Sequence, residues 1–238
     1  MPESLVLLHG FGGTHRAWNG VIARLDRERY LPLALDLPGH GAAAEHRRPI
    51  TFDDCVSAVL EAAPPSFALC GYSLGGRVAL HVALSVPERV SRLCILAADP
   101  GIEDASVRGS RLAADERLAR RLEDEPFEDF IERWGAQPLF EGDPTEVAEL
   151  ARADQRRNDP LALAAALRGL SVGAMAPLWG RLAQLRMPVL YLAGRRDEKF
   201  ARIGARLVEA VPHGRLVMLD GGHRLALENP GGVASALL

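Results

Sequence analysis

Serine, aspartate and histidine do nucleophilic or proton-transfer chemistry when a fold lines them up, and Ser73, Asp197 and His223 are spaced for that. Ser73 stands in Leu69-Cys70-Gly71-Tyr72-Ser73-Leu74-Gly75-Gly76-Arg77, where an apolar strand runs through Gly-Tyr-Ser-Leu-Gly into a helix-prone segment. A serine hydroxyl becomes a nucleophile or a base only if it stands clear of the sheet, so the backbone must reverse sharply around it. Gly71 and Gly75 leave room for that reversal. The same five residues also describe an ordinary glycine-rich turn; the strand in front and the helix behind make this one a nucleophile elbow. Asp197 and His223 each follow a predicted strand, in the chain order Ser, Asp, His. In such a set His223 takes the Ser73 proton, while Asp197 fixes the imidazole tautomer and stabilises its charged form. Asp99, after another predicted strand, is the alternative acid.

The elements that must position these residues follow from apolar runs and breakers. Ser4 to Leu8, Leu31 to Leu37, Phe67 to Cys70, Leu93 to Ala98, Pro188 to Ala193 and Leu216 to Leu219 are short apolar runs that suit buried strands. Between them, Trp18, Val21, Ile22 and Leu25 recur at helical spacing behind a Thr14 cap. Thr51 and Asp54 resemble a capping box ahead of Val56, Val59 and Leu60, and Leu74 to Val86 is an amphipathic helix ended by Pro87. A loop runs from the Asp36-Leu37-Pro38-Gly39-His40-Gly41 turn through Pro49. Strand and helix in alternation predict a mostly parallel sheet with helices on both faces, with sites at the strands' carboxyl ends, where His9, Asp36 and Ser73 fall. The rhythm stops after Asp99-Pro100. From Ile102 to about Leu185 the chain is charged, alanine-rich and helically patterned with no strand run, which predicts a helical lid inserted at 101–185 into a core of 1–100 and 186–238. The closing helix after Glu228-Asn229-Pro230 must be short.

Smaller features refine the site. The backbone N–H groups of Leu74, just after the serine, and of Phe11, in the loop His9-Gly10-Phe11-Gly12-Gly13, are the expected oxyanion donors. His9 is read as a structural residue that holds this loop, and His15, His40, His46, His81 and His213 as turn, surface or helix-face residues. Arg77 follows Ser73 by four on the elbow helix, where it either adds positive charge to the site or is a solvated helix arginine.

Composition excludes several classes. With 238 residues, 48% hydrophobic and 25% charged, the chain has the make-up of a globular protein with a sizeable core. A net charge of −3 without a basic tail gives no reason to expect nucleic acid. No apolar run reaches membrane-spanning length, and the N-terminus does not resemble a signal peptide. Cys55, Cys70 and Cys94 lie in apolar surroundings and read as free thiols of a reducing compartment, so the cytoplasm is expected. Lys199 is the only lysine; nearly all cationic character is arginine.

These residues resemble the α/β-hydrolase superfamily throughout. The chain is similar, more narrowly, to the 2-succinyl-6-hydroxy-2,4-cyclohexadiene-1-carboxylate synthase family of menaquinone biosynthesis. The narrower resemblance rests on His9-Gly10-Phe11-Gly12-Gly13 and Asp36-Leu37-Pro38-Gly39-His40-Gly41, which are common across the superfamily, and on Gly71 to Arg77, Trp134 with Gln137-Pro138-Leu139-Phe140, Gly194-Arg195-Arg196-Asp197-Glu198-Lys199-Phe200, and Gly222-His223 with Glu228-Asn229-Pro230. It implies a lyase that eliminates pyruvate from a ring carrying a succinyl group, a carboxylate and an enolpyruvyl ether. The Ser-His pair then serves as a base, the oxyanion hole takes charge from the succinyl carbonyl, and no metal or organic cofactor is needed. The implied partner is a small polycarboxylate, and the implied substrate residues are Arg77, Arg111, Tyr72, Trp134 and, near Gln155-Arg156-Arg157, Arg156. The rival is a hydrolase of esters or carbon–carbon bonds with Ser73 as covalent nucleophile; a non-catalytic binding protein on the same fold is a second. Trp134 would also serve plain packing within the lid.

Overall fold

The computed structural model describes residues 2–44 and 50–237. The last part of the loop expected through Pro49, with His46, lies outside the described residues. Six short apolar segments pair into one sheet: β1 (Glu3–Leu8), β2 (Tyr30–Leu35), β3 (Phe67–Tyr72), β4 (Val90–Leu96), β5 (Val189–Gly194) and β6 (Gly214–Leu219). Every pairing is parallel, in the order β2-β1-β3-β4-β5-β6. Parallel neighbours need crossovers, and these are α1 (Asn19–Ile22), α2 (Phe52–Ala62), α3 (Leu74–Ser85), the insertion α4 to α7, and α8 (Glu198–Ala210). The chain closes with α9 (Leu225–Glu228) and the seven-residue α10 (Pro230–Ala236).

Side chains alternate across a strand, and the two faces of the sheet feed separate cores. Val6 and Leu8 pack with Leu69, Val78, Ile95 and Leu207 under α2, α3 and α8. Leu5 and Leu7 pack with Trp18, Val21, Tyr30, Leu225 and Val233 under α1, α9 and α10. The Tyr30 hydroxyl donates to the Leu237 carbonyl at 2.6 Å, which ties the last turn to the edge strand. The Thr51–Asp54 capping box forms with both reciprocal hydrogen bonds. The segment after Thr14 is less regular than its spacing predicts: a 3-10 turn (His15–Trp18) precedes a helix of only four residues. Trp18, Val21 and Leu25 are buried all the same. Burial of three large apolar side chains sets the course of this segment, and Asn19-Gly20 adds little helix propensity.

Between β4 and β5 the chain forms α4 (Ala105–Asp124), α5 (Phe127–Gly135), α6 (Thr145–Gln155) and α7 (Pro160–Gly169), with no strand. This insertion has its own apolar cluster of Ala119, Leu122, Phe130, Leu163, Ala164 and Leu167. Arg168 on α7 clamps Glu116 and Glu123 on α4 at 2.8 and 2.6 Å. Among the described residues no helix is long and apolar enough to cross a membrane.

Candidate active site

At the carboxyl end of β3 the chain turns into α3 through Ser73, whose φ of 51° and ψ of −110° lie where side-chain-bearing residues are rarely found. The neighbours explain the strain. A Cβ on Gly71 would collide with the backbone of Gly75, and one on Gly75 with the backbone of Leu8 and His9. The two glycines are thus required by close backbone approach, and the serine between them is pushed out into a cavity of about 330 Å³. That cavity is of a size to hold a small organic ligand.

His223, in the loop between β6 and α9, directs Nε2 at Ser73 Oγ at 3.3 Å and Nδ1 at Asp197 Oδ2 at 2.7 Å. Both side chains are almost fully buried. Asp197 caps α8, its other oxygen accepting from the Phe200 N–H at 3.3 Å, so its orientation is fixed from two sides. With Asp197 holding Nδ1–H, the tautomer leaves Nε2 free to accept from serine, the polarity a base needs. Asp99 also lines the cavity, but its carboxylate accepts from the Gly101 N–H and Asp197 is the acid that reaches the histidine. Tyr72, Phe140 and Phe200 pack around the imidazole with ring centroids 4.7 to 6.0 Å away. Burial pushes the Tyr72 hydroxyl well above its ordinary range, so it stays protonated as a donor.

Phe11 and Leu74 both face this cavity beside Ser73. Leu74 opens α3, so its N–H lies ahead of the helix's own hydrogen-bond ladder. His9 holds the Phe11 loop from below. Fully buried, it bonds the Gly10 carbonyl through Nδ1 at 2.8 Å and accepts the Leu37 N–H on Nε2 at 3.0 Å. Burial lowers its pKa, consistent with a neutral ring in a structural role. His40, expected among turn or surface histidines, is in the turn but fully buried, in edge contact with His9 and Phe11, and burial pulls it down to about 3. Packing of its turn against the loop that carries His9 and Phe11 takes it out of water, which a turn motif does not reveal.

Two arginines charge the cavity. Arg77 reaches it from the second turn of α3 and donates to the Leu170 carbonyl at 2.7 Å; burial, with Arg111 nearby, lowers its pKa to about 10. Among the described residues it has no carboxylate within ion-pair distance. Arg111, on α4, is gripped through Nε by both oxygens of Asp115 at 2.9 Å, and Asp115 is fixed in turn by the Ser171 hydroxyl at 2.6 Å. Trp134 lines the cavity while packing on Phe11 and Phe130, so lid packing and pocket wall are one role.

Arg156 is not brought to this cavity. It lies on the outer face of the insertion and forms a fork with Glu128 at 2.8 to 3.1 Å. Its neighbours face inward instead: Asp154 binds Thr14, Gln155 is buried, and Asn158 binds the Gly12 carbonyl and the Gly41 N–H. At the end of a helix one residue of offset turns a side chain through about 100°, enough to exchange an inner position for an outer one. The cavity also includes residues to which the sequence assigned no site role, chiefly Lys199, Gln137 and the orienting pair Asp115 and Ser171. The i,i+4 spacing of Arg111 and Asp115 was the available signal for that pair.

The chain belongs to the alpha/beta hydrolase family, whose pattern it matches over residues 5–236. Within it, the chain is 35% identical over 238 residues to the 2-succinyl-6-hydroxy-2,4-cyclohexadiene-1-carboxylate synthase of Enterobacter sp. (strain 638), covering 98% of this chain and 89% of that protein. The solved structure of MenH from S. aureus superposes with a TM-score of 0.92 at 29% identity, over 99% of this chain and 91% of that one. The enol-lactonase from Burkholderia xenovorans LB400, at 20% identity and a TM-score of 0.83 over 100% of this chain and 90% of that one, shares the fold.

Proposed function

We propose that this protein is a lyase that eliminates pyruvate from 2-succinyl-5-enolpyruvyl-6-hydroxy-3-cyclohexene-1-carboxylate, forming 2-succinyl-6-hydroxy-2,4-cyclohexadiene-1-carboxylate in menaquinone biosynthesis. Likeness to synthases of that name over nearly the whole chain supports the reading. The observation that carries it is Arg77: a guanidinium that lines the same cavity as Ser73 and His223, donates to the Leu170 carbonyl and, among the described residues, has no carboxylate within ion-pair distance. A charge removed from water needs an opposite charge, and a polycarboxylate substrate supplies it. A neutral ester offers nothing in return.

In this mechanism Ser73, its hydroxyl proton accepted by His223 Nε2, takes a ring proton next to the succinyl carbonyl. The C2–H electron pair becomes the C2=C3 double bond, the C3=C4 pair of the cyclohexene shifts to C4=C5, and the C5–O bond to the enolpyruvyl group breaks. The three-carbon fragment leaves as an enolate, takes up a proton and becomes pyruvate; His223 ends neutral. Asp197 stabilises the imidazolium in between, and the N–H groups of Phe11 and Leu74 hold the charge that develops on the succinyl oxygen. Arg77 and Arg111 bind substrate carboxylates, with Tyr72 and Trp134 as walls. The helical insertion at 101–185 acts as a lid on a core of 1–100 and 186–238. The chemistry fits a cytoplasmic enzyme with a soluble substrate.

The test supplies the enolpyruvyl precursor, made enzymatically, and follows pyruvate release beside the cleavage of short-chain p-nitrophenyl esters. Accelerated pyruvate release supports the lyase. Rapid ester turnover without it identifies Ser73 as an acyl-forming nucleophile instead.

A further inference from the structure

Besides the Arg77–Leu170 and Arg206–Glu103 contacts, the lid meets the core at two places of different chemistry. One, at the end of α6, is made of hydrogen bonds without an ion pair: Asp154 accepts from the N–H and hydroxyl of Thr14, and Asn158 donates to the Gly12 carbonyl and accepts from the Gly41 N–H. The other is the turn that follows Phe140. There Asp143 Oδ2 meets Arg224 Nη1 at 2.6 Å, with both side chains more than nine-tenths buried. Arg224 is the residue after His223, and its guanidinium lies 3.7 Å over the Phe140 ring. Phe140 in turn faces the His223 imidazole at 6.0 Å and lines the cavity. Arg196, the residue before Asp197, donates to the Gly142 carbonyl at 3.3 Å and pairs with Glu228 at 2.6 Å. Glu228 accepts the Gly222 N–H at 2.7 Å. The lid turn is therefore fastened to the residues that flank both the base and its orienting acid.

A buried ion pair is a poor device for stability alone, because removing two charges from water costs about as much as their attraction returns. Burial indeed pushes the Asp143 carboxyl up, opposed by Arg224 and His223 and reinforced by Glu228. Such a pair does specify register: the lid turn can sit on the core only where the carboxylate meets the guanidinium. We propose that Asp143 and Arg224 are positioning residues, a latch that sets the lid turn on the His223 loop and seats Phe140 against the catalytic imidazole. The kinetic part of this inference rests on the elimination reading; the structural part does not.

The experiment compares wild type, Asp143→Asn, Arg224→Gln and the double variant, at a temperature where thermal unfolding shows all of them folded. Amide hydrogen exchange over 139–143 reports the latch directly. Each single variant leaves one member of the pair buried without its counter-charge, so exchange there should quicken and KM for pyruvate release should rise roughly tenfold, with kcat changed much less. In the double variant the two amides can bond each other, so its loss should be smaller than the product of the single losses. Unchanged exchange in either single variant, or losses that multiply in the double, would overturn the latch. If a single variant does not fold, Arg224→Lys takes its place. Since it keeps the charge, exchange over 139–143 should stay close to wild type; exchange much faster than wild type contradicts the proposal. Wild type that releases no pyruvate would count against the elimination, while the exchange comparison would still decide the latch.

Discussion

The elbow at Ser73 and the helical insertion between β4 and β5 are held by different means. Around the elbow, backbone presses on backbone, Gly71 on Gly75 and Gly75 on Leu8 and His9, with one side chain, the His9 imidazole, bracing the loop between the Gly10 carbonyl and the Leu37 N–H. The lid is held by side chains, through Arg111 on Asp115, Arg168 on its two glutamates and Arg224 on Asp143. Backbone contact allows one geometry, which suits the reacting groups. Side-chain contact can be rewritten by single substitutions, which suits the choice of substrate. The core thus supplies a strained serine facing a cavity, and two arginines, one on the elbow helix and one on the insertion, line that cavity with it.

That division sets an order of effects. Ser73→Ala or His223→Ala should lower kcat for pyruvate release by about a thousandfold or more, Ser73→Ala with thermal stability near wild type and His223→Ala with a lower melting temperature, because it leaves the buried Asp197 without its partner. A loss below tenfold would place the base elsewhere. Arg77→Ala should cost about 2 to 3 kcal/mol in kcat/KM, typical of a lost charged contact, while leaving p-nitrophenyl ester cleavage nearly unchanged. An equal loss on both substrates would make Arg77 a structural residue of the elbow helix. Lys199, exposed at the rim two residues after Asp197, should matter less: Lys199→Ala is expected to raise KM about threefold, more at low salt than at high. Arg156→Ala should change neither parameter, since its partner Glu128 is on the surface. A clear rise in KM there would bring the outer face of α6 into substrate binding.

The core also carries a pH signature. Burial lowers the pKa of His9 and of His40, the latter to about 3, against an unfolded value of 6.5. The unfolded chain therefore binds protons that the folded chain refuses. Stability from these neutral rings is complete above pH 6.5 and is lost as pH falls from there toward the folded values, by up to about 1.4 kcal/mol per pH unit for each ring. The melting temperature should drop between pH 7 and 5; a flat profile would mean that the loop carrying Phe11 opens to let the rings charge.

Much of this was legible in the chain because it depends on local pattern. The six apolar runs became the six strands, the Thr51–Asp54 cap formed, and the loops carrying Ser73, Asp197 and His223 converge since each follows a strand of one parallel sheet. What depended on register or on contacts between distant segments was not legible. Arg156 faces out because helix phase near α6's end is set by Asp154 and Asn158 reaching back to the Gly12–Thr14 loop, over a hundred residues away in sequence. His40 gave no sign of burial in its turn. The Asp143–Arg224 pair joins two loops with no periodicity of their own.

The most direct test of the central claim is the single-enzyme comparison of pyruvate release from the enolpyruvyl precursor in wild type and Arg77→Ala, with ester cleavage measured in parallel. The account predicts fast release in wild type, a loss of about 2 to 3 kcal/mol in the variant, and ester rates that do not follow it. Fast ester cleavage with no acceleration of pyruvate release, in an enzyme indifferent to Arg77, would contradict it.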